Sequence, residues 1–211
     1  MKKATLSIIV VTIILNSSFA QEKRYTFESA VIEKRLGTRG AVSSIVYIDD
    51  YGRKELTESI MRVPNQPNNT LTMVTMIKDG YIYYTENTSN EDKTAQKRGT
   101  KIKMATKDDY TMINYLNLTD EVKQKYQIEE KDDEQLLGMD CKRYELTATS
   151  PIGRSIKASV WVWQGLVLKL TFTVGDITVI QEEVTTIQED ETIAKEKFDL
   201  PEEVMFLERD F

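Results

Sequence analysis

The sequence predicts a mainly β fold, class α+β, built on antiparallel sheet, and three observations carry that prediction. Most of the chain reads as short runs of β-branched and aromatic residues separated by turn signals. Asp79-Gly80 sits between two such runs, which is a strong two-residue hairpin signal because both central positions need positive φ. The last third holds four runs in succession, with Gln164-Gly165 and Gly175-Asp176 as two-residue turns.

Each element follows from its residues. Residues 25–34 (YTFESAVIEK) and 42–49 (VSSIVYID) read as strands, the second ending at Asp50-Tyr51-Gly52. Residues 53–63 fit both periods: Leu56 and Ile60 suit a helix turn, while Thr57, Ser59, Met61 and Val63 suit alternation. Pro64–Asn69 is expected to be a loop, Thr72–Lys78 and Tyr81–Thr85 strands, and Asn87–Arg98 a solvated loop. Residues 107–127 carry helical spacing, with Met112, Tyr115, Leu116, Val122 and Tyr126 able to share a face and a break near Asn117-Leu118-Thr119. Thr119 is the expected N-cap, followed by Asp120 and Glu121 in a first turn that favours negative charge. The charge-dense stretch Glu129–Glu134 reads as a solvated loop; it lacks the spaced ligands of a calcium loop. Lys142–Thr149, Ile156–Trp163, Leu166–Val174 and Ile177–Ile187 are the four late strands, with Pro151-Ile152-Gly153 closing the first connection. Phe198, Leu200, Pro201, Val204, Phe206 and Leu207 end the chain as a tail or edge strand.

The N-terminus constrains function most. Lys2 and Lys3 precede an apolar run from Leu6 to Leu15, and Ser18-Phe19-Ala20 offers small residues for cleavage before Gln21. Residues 1–20 are therefore expected to be a removable signal peptide, and 21–211 one exported domain. The apolar run is half the length of a bilayer span, which needs about 20 residues. A periplasmic or secreted location is expected, without a stable membrane span.

Composition removes several function classes. The leader holds two of the 28 basic residues and none of the 34 acidic ones, so the mature chain carries a net charge of −8. An acidic chain gains nothing from a phosphate backbone, so no nucleic acid is expected as a partner. There is no histidine and a single cysteine, Cys141. Imidazole-based catalysis and a zinc site are excluded, and no metal or cofactor is expected. Cys141 is expected to be a buried structural thiol. Carboxylate hydrolysis survives composition, but Asp49/Asp50, Asp108/Asp109 and Glu182/Glu183 are sequence neighbours that point to opposite faces of a strand. A noncatalytic role is expected. Asn68-Asn69-Thr70, Asn87-Thr88-Ser89 and Asn117-Leu118-Thr119 match the glycan acceptor pattern and read as polar loops.

The hairpin around Gln164-Gly165 locates the candidate site. A two-residue turn sets Trp163 against Leu166 and Trp161 against Leu168. Alternation continues that face through Leu170 and Phe172, and a second two-residue turn sets Val174 against Ile177 and Phe172 against Val179. Ala158, Val160, Val162, Val167, Lys169, Thr171 and Thr173 take the other face. Each buried Trp removes about 150–250 Å² from water, so the indole face must be covered by helices, a second sheet or a ligand.

The runs Gly138-Met139-Asp140-Cys141-Lys142-Arg143-Tyr144, Val160–Lys169 (VWVWQGLVLK) and Phe198-Asp199-Leu200-Pro201 resemble, in that order, exported bacterial proteins with the fold of the periplasmic outer-membrane lipoprotein carrier. The resemblance covers roughly residues 70–207, and Val167 stands where the family's turn usually has Pro. It implies an incomplete, strongly curved antiparallel β-barrel with a few helices across its open mouth, and an apolar interior that holds lipid acyl chains. No cargo-gating Arg can be placed, so lipoprotein transport itself does not follow. The expected function is noncatalytic binding of a hydrophobic ligand, such as a lipid or acyl chain, in envelope lipid or lipoprotein handling. Trp161, Trp163, Leu166, Leu168, Leu170 and Phe172 would line the site, with Tyr83, Tyr81 or Tyr84 adding to its wall and 107–127 as its lid. The alternative is a structural or protein-interaction domain of the cell envelope with a filled core, meeting partners at a sheet edge or at the tail Met205–Phe211.

Overall fold

The computed structural model describes residues 22–37, 42–62, 70–88, 97–104, 113–149, 155–174 and 177–209. They form one large, curved, open sheet with very few helices. Its twelve strands are β1 (Ala30–Leu36), β2 (Val42–Asp49), β3 (Lys54–Arg62), β4 (Thr70–Lys78), β5 (Tyr81–Thr88), β6 (Lys97–Lys103), β7 (Glu129–Leu136), β8 (Met139–Thr149), β9 (Ser155–Trp163), β10 (Leu166–Val174), β11 (Ile177–Glu189) and β12 (Val204–Arg209). Across the sheet they run β12-β6-β5-β4-β3-β2-β1-β11-β10-β9-β8-β7. Two antiparallel meanders, β1–β6 and β7–β11, thus join where β1 pairs with β11, and β12 adds in parallel to β6 at the far edge. The single α-helix of the described residues is α1 (Asp120–Lys125).

Turn chemistry explains the hairpins. Asp79 and Gly80 take φ of 52° and 77°, Gln164 and Gly165 take 50° and 88°, and Leu137 and Gly138 take 54° and 77°. These left-handed pairs match the strand twist and give tight antiparallel returns. Thr119 caps α1 as expected, its Oγ1 accepting from the Val122 amide at 3.4 Å.

Several expectations need correction. Within residues 53–63, Lys54–Arg62 settle as strand β3. The strand expected from residue 25 begins at Ala30; residues 22–29 instead run over the β2–β3 and β9–β10 turns. The expected solvated loop at Glu129–Glu134 is the edge strand β7. Its charges pair across to β8, with Lys142–Glu130 and Arg143–Glu134 both at 2.7 Å. A charged edge strand of this kind resists adding further strands. β5 and β6 extend into both ends of the expected Asn87–Arg98 loop. Of the expected 107–127 helix, the described residues 113–127 hold a 3-10 turn at Tyr115–Asn117 and α1. The leader 1–20, the loop 64–69, the start of the helical segment (107–112), the 151–153 connection and the Gly175-Asp176 turn lie outside the described residues.

Among the described residues three apolar cores form. The first gathers Tyr25, Phe27, Ile32, Ile48, Leu168 and Val184, with Trp161 inside it and Trp163 packed against it. The second packs Tyr144, Leu146, Ala158, Val160, Val162 and Phe172 beneath residues 113–128. The third holds Leu56, Met76 and Phe198, where the 3-10 turn Lys195–Phe198 returns over β3 and β4. Cys141 is fully buried as expected, and burial pushes its thiol up.

Candidate functional site

The expected indole face divides at Leu168. Trp163 pairs with Leu166, as the two-residue turn requires. Beyond Val167–Val162, however, the next pair is Lys169–Trp161, so Leu168 is an extra residue in β10. An added residue reverses the alternation after it. Trp161, Trp163, Leu166 and Leu168 therefore enter the first core, while Leu170 and Phe172 enter the second, with Val160, Ala158 and Tyr144. The expected pairing of Trp161 with Leu168 fails for this reason. A further irregularity between Phe172 and Thr173 sets Phe172 against Ile180 rather than Val179, although Val174 does pair with Ile177. Tyr83 lies elsewhere, on β5, well across the sheet from β9. It packs in the third core against Phe206, with ring centroids 5.2 Å apart.

The chain itself covers the indole face. Tyr25 stacks on Phe27 at 5.1 Å and Phe27 on Trp163 at 6.0 Å. The Tyr25 hydroxyl donates to Glu55 at 2.8 Å, and Arg24 reaches the same carboxylate oxygen at 3.0 Å. Burial pushes the Tyr25 phenol up, and Glu55 adds to that against the opposing charge of Arg24. The backbone of this segment is pinned as well: the Arg24 amide donates to the Tyr51 carbonyl at 2.9 Å and the Thr26 amide to the Gln164 carbonyl at 3.2 Å. Trp161 sits between Arg143 and Lys169, whose charged groups lie 5.3 and 5.0 Å from its ring centroid. Its Nε1 donates to Glu134 at 2.8 Å. That hydrogen bond, followed by the hydrogen bond and charge of Arg143, holds the Glu134 carboxyl below its usual range. The alternation Tyr25-x-Phe27 marks an apolar segment in the sequence but not the surface it covers.

The second core is built differently. Beneath lie Tyr144, Leu146, Ala158, Val160, Val162 and Phe172, each exposed by 9% or less. Above lie Ile113, which is buried, and Tyr115, Leu118, Val122, Tyr126 and Ile128, which are partly buried; no residue of α1 is buried. Tyr115 stands 5.6 Å from Tyr144, ring to ring, and burial followed by that neighbour pushes its phenol up. The covering segment is tied at its start to the N-terminal segment. Asn114 Nδ2 donates to the Lys23 carbonyl at 3.1 Å, and Asn117 Nδ2 to Glu22 at 3.2 Å.

Among the described residues, three of the paired carboxylates are held by basic side chains. Asp49 is bound to Lys54 and Asp50 to Arg53, at 3.1 and 3.0 Å, and Glu182 is bound to Lys34 at 2.9 Å. Asp108 and Asp109 lie outside the described residues. Among the described residues no group of three or more acidic or Cys side chains is placed to hold a metal ion.

No family model matches the chain, and no curated protein matches it. Solved structures do. An uncharacterized conserved protein from Thermus thermophilus is 9% identical, covering 87% of this chain and 92% of its own, with a TM-score of 0.50. PNGF-II is 14% identical over 87% of this chain with a TM-score of 0.45, and this chain spans about a third, 32%, of its length. A putative outer membrane lipoprotein-sorting protein domain from Vibrio parahaemolyticus is 13% identical, covering 83% of this chain and 92% of its own, with a TM-score of 0.29. Of these three structures the Thermus protein alone reaches a TM-score of 0.50, and at 9% identity that likeness is one of fold.

Proposed function

We propose that this chain is a noncatalytic, exported protein that binds an apolar ligand, an acyl chain or a lipid, on the β8–β10 face beneath residues 113–128. One observation carries the reading: six buried apolar side chains lie under a covering segment whose helix buries none of its own residues. A six-residue helix has little stability by itself and persists through packing. A guest chain that replaces Leu118, Val122 and Tyr126 on the sheet recovers the same apolar contact, so opening this cover costs little. The bound chain would be recognised by area removed from water and by few polar groups, as in other apolar sites. Leu170 and Phe172 belong to this site; Trp161, Trp163, Leu166 and Leu168 line the neighbouring core. Export rests on the leader-like residues 1–20, and the absence of catalysis on carboxylates held in ion pairs and on a chain without histidine.

The test is native mass spectrometry of the purified chain after incubation with a long-chain fatty acid and, separately, a phospholipid. We expect one lipid retained per chain, with retention lost in Leu170→Arg and kept in Trp163→Phe. No retention by the wild-type chain, or equal retention by Leu170→Arg when that variant melts normally, contradicts the proposal. A second reading, a structural or interaction domain of the envelope, is favoured by one specific observation: Tyr25 and Phe27 already fill the face that bears both indoles.

A further inference from the structure

The two edges of the sheet differ sharply in chemistry. β7 closes one end with Glu129, Glu130, Lys131, Asp132, Asp133 and Glu134 in succession. β12 closes the other with Val204-Met205-Phe206-Leu207 before any charge. Met205 and Leu207 are 40% and 45% exposed, on the face opposite Phe206, which packs against Tyr83. Among the described residues nothing pairs with the outer side of β12, because its partner β6 takes the inner side. Between the charges at Glu203 and Glu208 this edge offers an uncharged run of four residues, and such a run is a template for another strand.

We propose that β12 pairs antiparallel with β12 of a second copy of this chain, forming a two-fold dimer with a continuous sheet. The occupant follows from self-complementarity. In an antiparallel pair, opposite residues share a face, and a two-fold axis through Phe206 sets each Met205 beside Leu207 of the second copy. The same axis sets Phe206 against Phe206 and Val204 against Glu208. At each end it brings Arg209 toward Glu203, in the turn that leads into β12, acid beside base. Neighbouring registers lose this match. An axis at Met205 sets Glu203 against Leu207, and an axis at Leu207 sets Arg209 against Met205. The Glu203 side chain is 62% exposed and only loosely engaged with Lys97 at 3.7 Å, so it can turn outward. Six residues of edge make an interface well below the standard size of about 1,600 Å², so the dimer is weak and reversible.

Sedimentation velocity over a concentration series tests this with the purified chain. We expect reversible monomer–dimer exchange. Arg209→Glu sets like charges opposite at both ends and should weaken association by about tenfold, on the scale of two exposed pairs. Glu203→Arg should do the same, and the double variant should restore wild-type association. Under mild oxidation, Met205→Cys with Leu207→Cys should give a covalent dimer, since the native Cys141 is buried and out of reach. A monomer at every concentration overturns the proposal. So does a dimer indifferent to Arg209→Glu, or one that the double charge exchange fails to restore while each variant keeps the wild-type melting temperature.

Discussion

Gly165 lies directly against the carbonyl oxygen of Arg24: a Cβ at position 165 would drive into that oxygen well inside van der Waals contact. The turn that joins the Trp-bearing strand to its partner is thus also the seat of the N-terminal segment. Gly52 plays the same part on the other side, where a Cβ would come within 2.6 Å of the Tyr25 ring. Two turns far apart in sequence hold the segment that covers both indoles.

Gly165→Ala should therefore cost more than its backbone angle alone explains. Gly80 has a similar φ of 77° with nothing within 4 Å of its Cβ position, so Gly80→Ala reports the angle alone, about 1–2 kcal/mol. Gly165→Ala adds an overpacking cost of about 1–3 kcal/mol. Urea denaturation of the two variants gives the comparison. Equal losses would mean that the N-terminal segment does not rest on the turn.

Phe27→Ala should destabilise the chain by about 3–5 kcal/mol, the range for removing a buried aromatic ring. It should also shift tryptophan emission to the red, because Trp163 loses the ring stacked on it. Tyr25→Phe keeps that stack and loses only the hydroxyl bond to Glu55, so about 1 kcal/mol is expected and no emission shift. Denaturant melts and emission spectra of the pair check both.

Acid should reveal the Trp161–Glu134 contact. The Glu134 carboxyl is held below its usual range in the folded chain, so its contribution to stability is complete above the ordinary carboxylate range. That contribution is lost as pH falls through the lowered value. Tryptophan emission should change over that acid interval in the wild type. Glu134→Gln keeps an acceptor for the indole but does not titrate, so its emission should stay flat there. An unchanged transition in the variant would assign it to another group.

Thr119→Ala removes the side-chain cap of α1 and should cost about 1 kcal/mol locally. Hydrogen exchange of amides 120–125 should accelerate while the sheet keeps its protection. Because the cover opens more easily, fatty-acid uptake should become faster. Unchanged exchange in that segment would mean that the cap does not hold the cover in place.

How much of this was legible in the sequence varied with the locality of the signal. The hairpin at Asp79-Gly80, the pairing of Trp163 with Leu166 and the Thr119 cap each rest on neighbouring residues, and each reads directly. The extra residue at Leu168 does not: nothing in VWVWQGLVLKL distinguishes a bulged strand from a regular one, and the cost of missing it is that Leu170 and Phe172 change faces. β7 was hidden for another reason. Its charges suit a loop by composition, and only the opposite charges further along the chain, on β8, make it a strand. Tyr25 and Phe27 looked like strand residues because aromatic alternation carries no information about which sheet, or which turn, a segment will meet.

Methyl-resolved NMR during titration with a long-chain fatty acid tests the proposed site most directly. We expect shifts at the methyls of Leu118, Val122, Leu146, Val160, Val162 and Leu170, with those of Leu166, Leu168, Val46 and Val184 unmoved. Shifts centred on Leu166 and Leu168, or none at saturating ligand, would contradict a lipid site beneath residues 113–128.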